Sequence, residues 1–432
     1  MGDGFLEGKL IVTVSSTHLA HAQRIAASAG QTFNMLDVFV PKKFADGEFT
    51  PYHGLLNALQ KKGKKFDPAK AYSGLTVYLI KTSGPYQNPQ DMSKRVELTA
   101  ESFKYYGADK VVVVATDLDY ARADRDPIKM PEKVMGYMNT IRSLAKSWHD
   151  KGVDQVMTMH PHSNEDFAAF EEFMGGKGYA GLLNISPIYL FTDYFKSSNS
   201  SLRRVNALDD AGKNLAHVIL DDGIEAVANQ LRTSMEMPNA SVLKFKKFRS
   251  VPNDPDRLEV MLDDRYPVTE NMLNGKYVLL FDDRLDTGGT LIKVTKWLDK
   301  EGNHNFGKPA GYVVLITHPI LGGQSFLGVQ EKISKEISNL LDFVTTNSRP
   351  FIDDHVDYPT FKAVATVIRT AKTFGHAIRA GFKTQQEVEE AHKTYMRDGM
   401  LGGKIYEIKR SSAYGSLISA VPEGFLSQIC RE

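Results

Sequence analysis

The chain has 432 residues, 42% of them apolar and 24% charged, which excludes a fibrous or wholly disordered protein and calls for two or three domains. Lys and Arg number 53 against 52 Asp and Glu, so a net charge of +1 gives no reason to invoke nucleic acid or an anionic membrane. The single cysteine, Cys430, rules out an internal disulfide framework and a cysteine-based zinc site and fits a reducing, cytoplasmic setting. The first nine residues lack the apolar core of a signal peptide, and no run approaches 18 uninterrupted apolar residues.

In chain order, nearly continuous apolar runs predict buried strands at 10–14, 75–80, 111–115, 156–159, 277–281, 312–316 and 340–344. Helical patterns lie between them at 17–29, 91–106, 131–148, 222–234 and 290–300. Strands alternating with helices imply an α/β architecture with mainly parallel sheets flanked by helices. The alternation restarts near residue 180. Two α/β domains are therefore expected, 1–185 and 186–350. Residues 361–378 and 385–396 look helical, so 351–432 is read as a C-terminal helical extension of unknown role.

The segment 282–290 reads DDRLDTGGT and follows a predicted strand. Gly288 and Gly289 let backbone N–H groups approach an anion closely, and Thr287 and Thr290 add hydroxyl donors. The following helix contributes partial positive charge, so Asp286 to Thr290 describes a site for a terminal phosphate. Asp282 and Asp283 repel phosphate; they suit the hydroxyls of a sugar or a metal ion. A phosphate site beside a hydroxyl site describes a ribose 5-phosphate group. The loop lacks the Gly-Lys-Ser/Thr ending of a Walker A motif and is not GxGxxG.

This segment resembles the phosphoribosyl pyrophosphate loop of type I phosphoribosyltransferases and of ribose-phosphate diphosphokinases, the phosphoribosyl pyrophosphate synthetases. Further segments are similar to the synthetases. In 42–48, KKFADGE, the residues Phe44, Asp46 and Glu48 match those that hold adenine across a subunit interface. In 120–126, YARADRD, Arg122 and Asp124 match a segment that contacts the ATP phosphates, with Ala123 replacing the usual glutamine. In 157–163, MTMHPHS, His162 matches a histidine near the magnesium–triphosphate group, and His160 replaces an acid. In 208–213, LDDAGK, Asp210 matches a ribose-contacting acid, with Lys213 in place of a second glycine. In 243–249, LKFKKFR, Lys247 and Arg249 match a mobile catalytic Lys-x-Arg pair; Lys244 with Lys246 is the rival register. His318, in the stretch THPIL, is read as structural.

The resemblance spans roughly residues 9–350 and implies two phosphoribosyltransferase-like domains. The implied activity is Mg²⁺-dependent transfer of a diphosphate group from ATP to the C1 hydroxyl of ribose 5-phosphate, releasing AMP. Lys247, Arg249, Asp282 and Asp283 are the implied catalytic residues. His160 and His162 are candidate metal ligands, and two histidines without a third ligand are weak grounds for a transition-metal site. A homo-oligomer is implied, with no nucleic acid or membrane partner. Three alternatives stay open: a larger 5-substituted ribose such as ADP-ribose as acceptor, a phosphoribosyltransferase, and a non-catalytic regulatory relative.

Overall fold

The computed structural model describes residues 6, 8–84, 87–121, 124, 128, 138–176, 178–198, 200–220, 222–249, 258–299, 306–323, 326–350 and 365–398; at 222, 246–249 and 258–261, among others, it describes the backbone alone. The chain forms two compact units.

The first unit holds the described residues up to Ile185 and those of 370–398. Its sheet has five parallel strands in the order β1 (Lys9–Thr13), β4 (Thr76–Lys81), β5 (Lys110–Ala115), β6 (Gln155–Met159) and β7 (Leu182–Ile185). A separate antiparallel hairpin pairs β2 (Val40–Lys43) with β3 (Phe49–Tyr52). Helices cover the sheet because parallel strands need crossovers and both faces must be shielded. The helix Pro89–Tyr105 shows the local logic. Asn88 caps it by accepting from the Gln90 N–H, and Pro89 opens it with its φ already set. Val96, Ala100 and Phe103, at helical spacing, are fully buried against the sheet. Trp148, also fully buried, keeps its indole N–H satisfied by Ser93 Oγ at 3.0 Å.

The second unit holds Ser186–Phe351 and the late strand β14 (Ala365–Ile368). Its seven-stranded sheet runs β10 (Leu258–Leu262), β9 (Ser241–Arg249), β8 (Leu215–Ile219), β11 (Tyr277–Leu285), β12 (Gly311–Pro319), β13 (Leu340–Thr346), β14. All neighbours are parallel except β9 and β10, which pair as an antiparallel ribbon. The expected architecture of two mainly parallel sheets flanked by helices is the one observed.

Three expectations need correction. Strand β11 does not end at Phe281 but continues to Leu285, because β12 runs on beside it and pairs Asp282 with Ile316 and Arg284 with His318. Residues 361–378 are not one helix: Ala365–Ile368 adds β14 to the second sheet, and the helix begins at Ala371. The described residues of the late part of the chain, 365–398, therefore form no separate helical extension. The helix Ala371–Ala380 packs on the helix Leu19–Ala29, with Arg379 donating to the carbonyls of Ala29 at 2.8 Å and Ser28 at 3.1 Å. Of the helix expected at 131–148, the described part starts at Thr140.

Candidate active site

In an open parallel sheet, ligands bind beyond the carboxyl ends of the strands. In the second unit the segment at that edge of β11 is 286–288, which leads into the helix Gly289–Asp299. Gly288 adopts φ +74°, a left-handed conformation that favours glycine, and a Cβ there would press on Ile333 Cγ1 at 3.0 Å. Thr287 is exposed, Gly289 and Thr290 are partly so, and Lys332 Nζ donates to the Thr287 carbonyl at 3.1 Å. The turn thus presents backbone and hydroxyl groups to solvent at a helix N-terminus, with a cation alongside.

Asp282 and Asp283 are the last acids of the strand, each 8% exposed. The Asp283 N–H donates to Asp282 Oδ1 at 3.1 Å, and Arg284 Nε lies 3.9 Å from Asp283 Oδ2. As strand neighbours, the two point to opposite faces of the sheet. The neighbouring strand β12 closes on a satisfied polar knot. His318 is fully buried, its Nδ1 sits 2.8 Å from Ser348 Oγ, and that hydroxyl donates to the Thr317 carbonyl at 3.0 Å. This is the arrangement of a structural histidine.

Asp210 is not brought to this edge. It precedes β8, which runs parallel to β11, so it sits at the opposite end of the sheet, a strand length or roughly 25 Å from the turn at 286–288. Its turn is unusual in itself: Asp210, Ala211 and Gly212 all have positive φ, at 50°, 54° and 81°. The Ala211 carbonyl accepts from the Asn239 N–H at 3.1 Å, and Lys213 returns to the right-handed region, so no second glycine is needed. The acid that the topology puts beside β11 is Asp222, which opens the helix Asp222–Ser234 just beyond β8. Sequence reading missed it because β8, LAHVI, carries a histidine that broke the apolar run. The LDDG that follows it was the available signal.

Lys247 and Arg249 lie on β9, opposite Val260 and Leu258 of β10, and share one face of that ribbon. Residues 250–257, which join the strands, lie outside the described residues. Lys244 is fully buried between two carboxylates, Glu225 Oε2 at 2.6 Å and Asp263 Oδ2 at 3.3 Å. Arg265 pairs with Asp263 at 2.6 Å, and Tyr266 hydrogen-bonds Glu225. The hydrogen bond from Lys244 holds the Glu225 carboxyl below its usual range. A lysine committed in this way anchors the ribbon and is a poor mobile catalyst, which disfavours the Lys244 register.

In the first unit, the hairpin of β2 and β3 presents Phe44 at its tip, 46% exposed, with Lys42 Nζ 5.1 Å from the ring centroid. The turn is tied by the Phe44 N–H to the Glu48 carbonyl at 2.8 Å and by Asp46 Oδ1, which accepts from the Glu48 N–H at 3.0 Å. Asp46 and Glu48 are exposed in the same hairpin turn.

Along the carboxyl edge of the five-stranded sheet, β5 leads to Asp124, 8% exposed. Arg122 lies outside the described residues. β6 leads to His160, 4% exposed with φ +45°, and to half-buried His162, whose N–H donates to Asp166 Oδ2 at 2.8 Å. Among the described residues, no group of three or more His, Cys, Asp or Glu is placed to hold a metal. A feature absent from the sequence reading sits at this edge. Lys81, the last residue of β4, is fully buried. Its Nζ lies 2.7 Å from Asp119 Oδ2 and donates to Ser83 Oγ at 2.8 Å and the Asp117 carbonyl at 3.1 Å. A lysine closing the apolar run 75–80 was its only sequence sign.

No family model matches the chain. It is 25% identical over 349 residues to a ribose-phosphate pyrophosphokinase of Helicobacter hepaticus, covering 80% of this chain and 89% of that protein. A ribose-phosphate pyrophosphokinase of Prochlorococcus marinus subsp. pastoris is 25% identical over 343 residues, covering 78% and 81%. Among solved structures, phosphoribosylpyrophosphate synthetase from Mycobacterium smegmatis has the same fold, with a TM-score of 0.60 and 17% identity over 87% of this chain and 99% of that one.

Proposed function

Since the chain is a relative of the ribose-phosphate diphosphokinases, we propose that it transfers a diphosphate group from ATP to the C1 hydroxyl of ribose 5-phosphate. The observation that carries this reading is the edge of β11, where two acids precede a phosphate-type turn at a helix N-terminus. In the reaction the C1 oxygen attacks the β-phosphorus, the bond from that phosphorus to the α-phosphate oxygen breaks, AMP leaves, and the hydroxyl proton is released. Such a transfer depends on alignment and on charge stabilisation rather than on a covalent protein intermediate.

In this reading, 286–290 grips the 5-phosphate through N–H groups and the Thr287 and Thr290 hydroxyls. Asp282 or Asp283 accepts from ribose hydroxyls. Arg122, Asp124 and His162 lie on the triphosphate side. Lys247 and Arg249, on one face of a two-stranded ribbon, would swing over the transferring group and exclude water. Phe44 stacks on adenine, with Asp46 and Glu48 accepting from its amino group. A solvent-facing ring on a hairpin tip is suited to completing the ATP site of a second copy in a homo-oligomer.

Mg²⁺ fits an acid better than the histidines, because it takes hard oxygen ligands, which the carboxylate of Asp282 or of Asp283 supplies. When bound, it would neutralise charge on phosphoryl oxygens. The lone cysteine suits a cytoplasmic enzyme. The test is a product assay. With ATP, Mg²⁺ and ribose 5-phosphate, mass spectrometry should find AMP and a pentose carrying one added diphosphate in equal amounts. AMP formation only with a larger acceptor, or none at all, would overturn the reading.

A further inference from the structure

We propose that Gln385, in the late part of the chain, is a positioning residue for the His160–His162 turn on the ATP side; its kinetic half rests on the function just proposed. Strand β7 is an edge strand of the first sheet, and an edge strand leaves backbone groups to be paired from outside. At Asn184 one side chain pairs both. The Asn184 N–H donates to Gln385 Oε1 at 2.9 Å, and Gln385 Nε2 donates to the Asn184 carbonyl at 3.4 Å. A primary amide here does what a neighbouring strand would do.

Asn184 in turn reaches across to β6. Its Oδ1 accepts from the His160 N–H at 3.0 Å. His160 has φ +45°, a conformation that a residue with a Cβ holds only under constraint. The other side of the turn is fixed by Asp166 Oδ2, which accepts from the N–H groups of His162 at 2.8 Å and Ser163 at 3.3 Å. The turn is thus held from within by its own helix and from outside through Asn184 by Gln385.

Gln385 is itself held in place. Glu387 Oε2 accepts from the N–H groups of Lys383 at 2.6 Å and Thr384 at 3.2 Å, and the Glu387 N–H donates to Thr384 Oγ1 at 3.3 Å, a reciprocal helix cap. The Lys383 carbonyl accepts from the Ala180 N–H at 2.8 Å and from Gln155 Nε2 at 3.1 Å. The same stretch of chain is pinned at its other end by Arg379 to the helix Leu19–Ala29. That second anchor makes a control, because it secures the late helices without touching Asn184.

The experiment compares Gln385→Ala, Gln385→Glu and Arg379→Ala, using full-length protein with selectively ¹⁵N-labelled histidine. Gln385→Ala should shift the His160 amide resonance and raise the KM for ATP about tenfold, leaving the KM for ribose 5-phosphate within about twofold. Gln385→Glu keeps the acceptor for the Asn184 N–H and should recover part of the ATP effect. Arg379→Ala should move neither the resonance nor the KM for ATP. A His160 amide unmoved by Gln385→Ala, or moved equally by Arg379→Ala, overturns the proposal. So does a shifted amide with unchanged KM for ATP in an active enzyme. If the wild type forms no AMP, the functional reading fails, and the amide resonance still decides the positioning claim.

Discussion

Gly322 packs directly against the carboxylate of Asp286: a Cβ built on Gly322 would collide with Asp286 Oδ1 and stand 3.2 Å from its Cγ. Gly322 also has φ +46°, so any side chain there is strained as well as crowded. Gly322, three residues beyond the end of β12, therefore sets where Asp286, the first residue of the turn after β11, can sit. Gly322→Ala should push Asp286 out of register and raise the KM for ribose 5-phosphate about tenfold or more, with the KM for ATP little changed. Steady-state kinetics with each substrate varied would check this. Equal effects on both substrates would mean general damage instead.

Lys247 and Arg249 share a face of the β9–β10 ribbon, and charge stabilisation of the transferring group is the role proposed for them. Lys247→Ala and Arg249→Ala should each lower kcat by about 10²-fold, while ATP affinity measured by calorimetry stays within about threefold. Unchanged turnover in both variants removes them from the mechanism.

Lys244 makes the opposite prediction. Its ammonium lies buried between Glu225 and Asp263, so Lys244→Met takes a buried cation from both and leaves Asp263 to Arg265 alone. Loss of one partner of such a pair costs about 3–5 kcal/mol of stability. Urea unfolding should show that loss. A stable Lys244→Met protein with abolished turnover would restore the rival catalytic register.

His53 should make the first unit sensitive to acid. Its ring nitrogens sit 2.9 Å from Tyr72 Oη and 3.2 Å from Ser102 Oγ, and burial pushes its pKa from 6.5 down to about 3. The unfolded chain then takes up the proton more readily than the folded one. Its contribution is complete above pH 6.5 and is lost progressively as pH falls from there toward 3, reaching about 2 kcal/mol by pH 5. The urea midpoint should drop between pH 7.5 and 5, and His53→Gln should drop by less.

The parallel strands were legible because burial on both faces writes an unbroken apolar run, as in KVVVVA of β5. The turn at 286–288 was legible for a similar reason: Gly288 holds a left-handed conformation, a local backbone demand that sequence records directly. What sequence did not record was direction across the sheet. Asp210 carries an attractive local pattern, but only the parallel pairing of β8 with β11 shows it to be at the wrong end. Likewise β14 is a four-residue strand whose register comes from β13, and nothing in ATVI separates it from the helix that follows. The Lys81–Asp119 and Gln385–Asn184 links join residues 38 and 201 positions apart, beyond the reach of any local pattern.

The central claim is that the turn after β11 holds a sugar phosphate, and a crystal structure with bound ribose 5-phosphate tests it most directly. The account predicts the phosphate within hydrogen-bond distance of backbone N–H groups in 286–290, and ring hydroxyls on Asp282 or Asp283. A phosphate bound elsewhere, with those two acids turned away from the sugar, would contradict it.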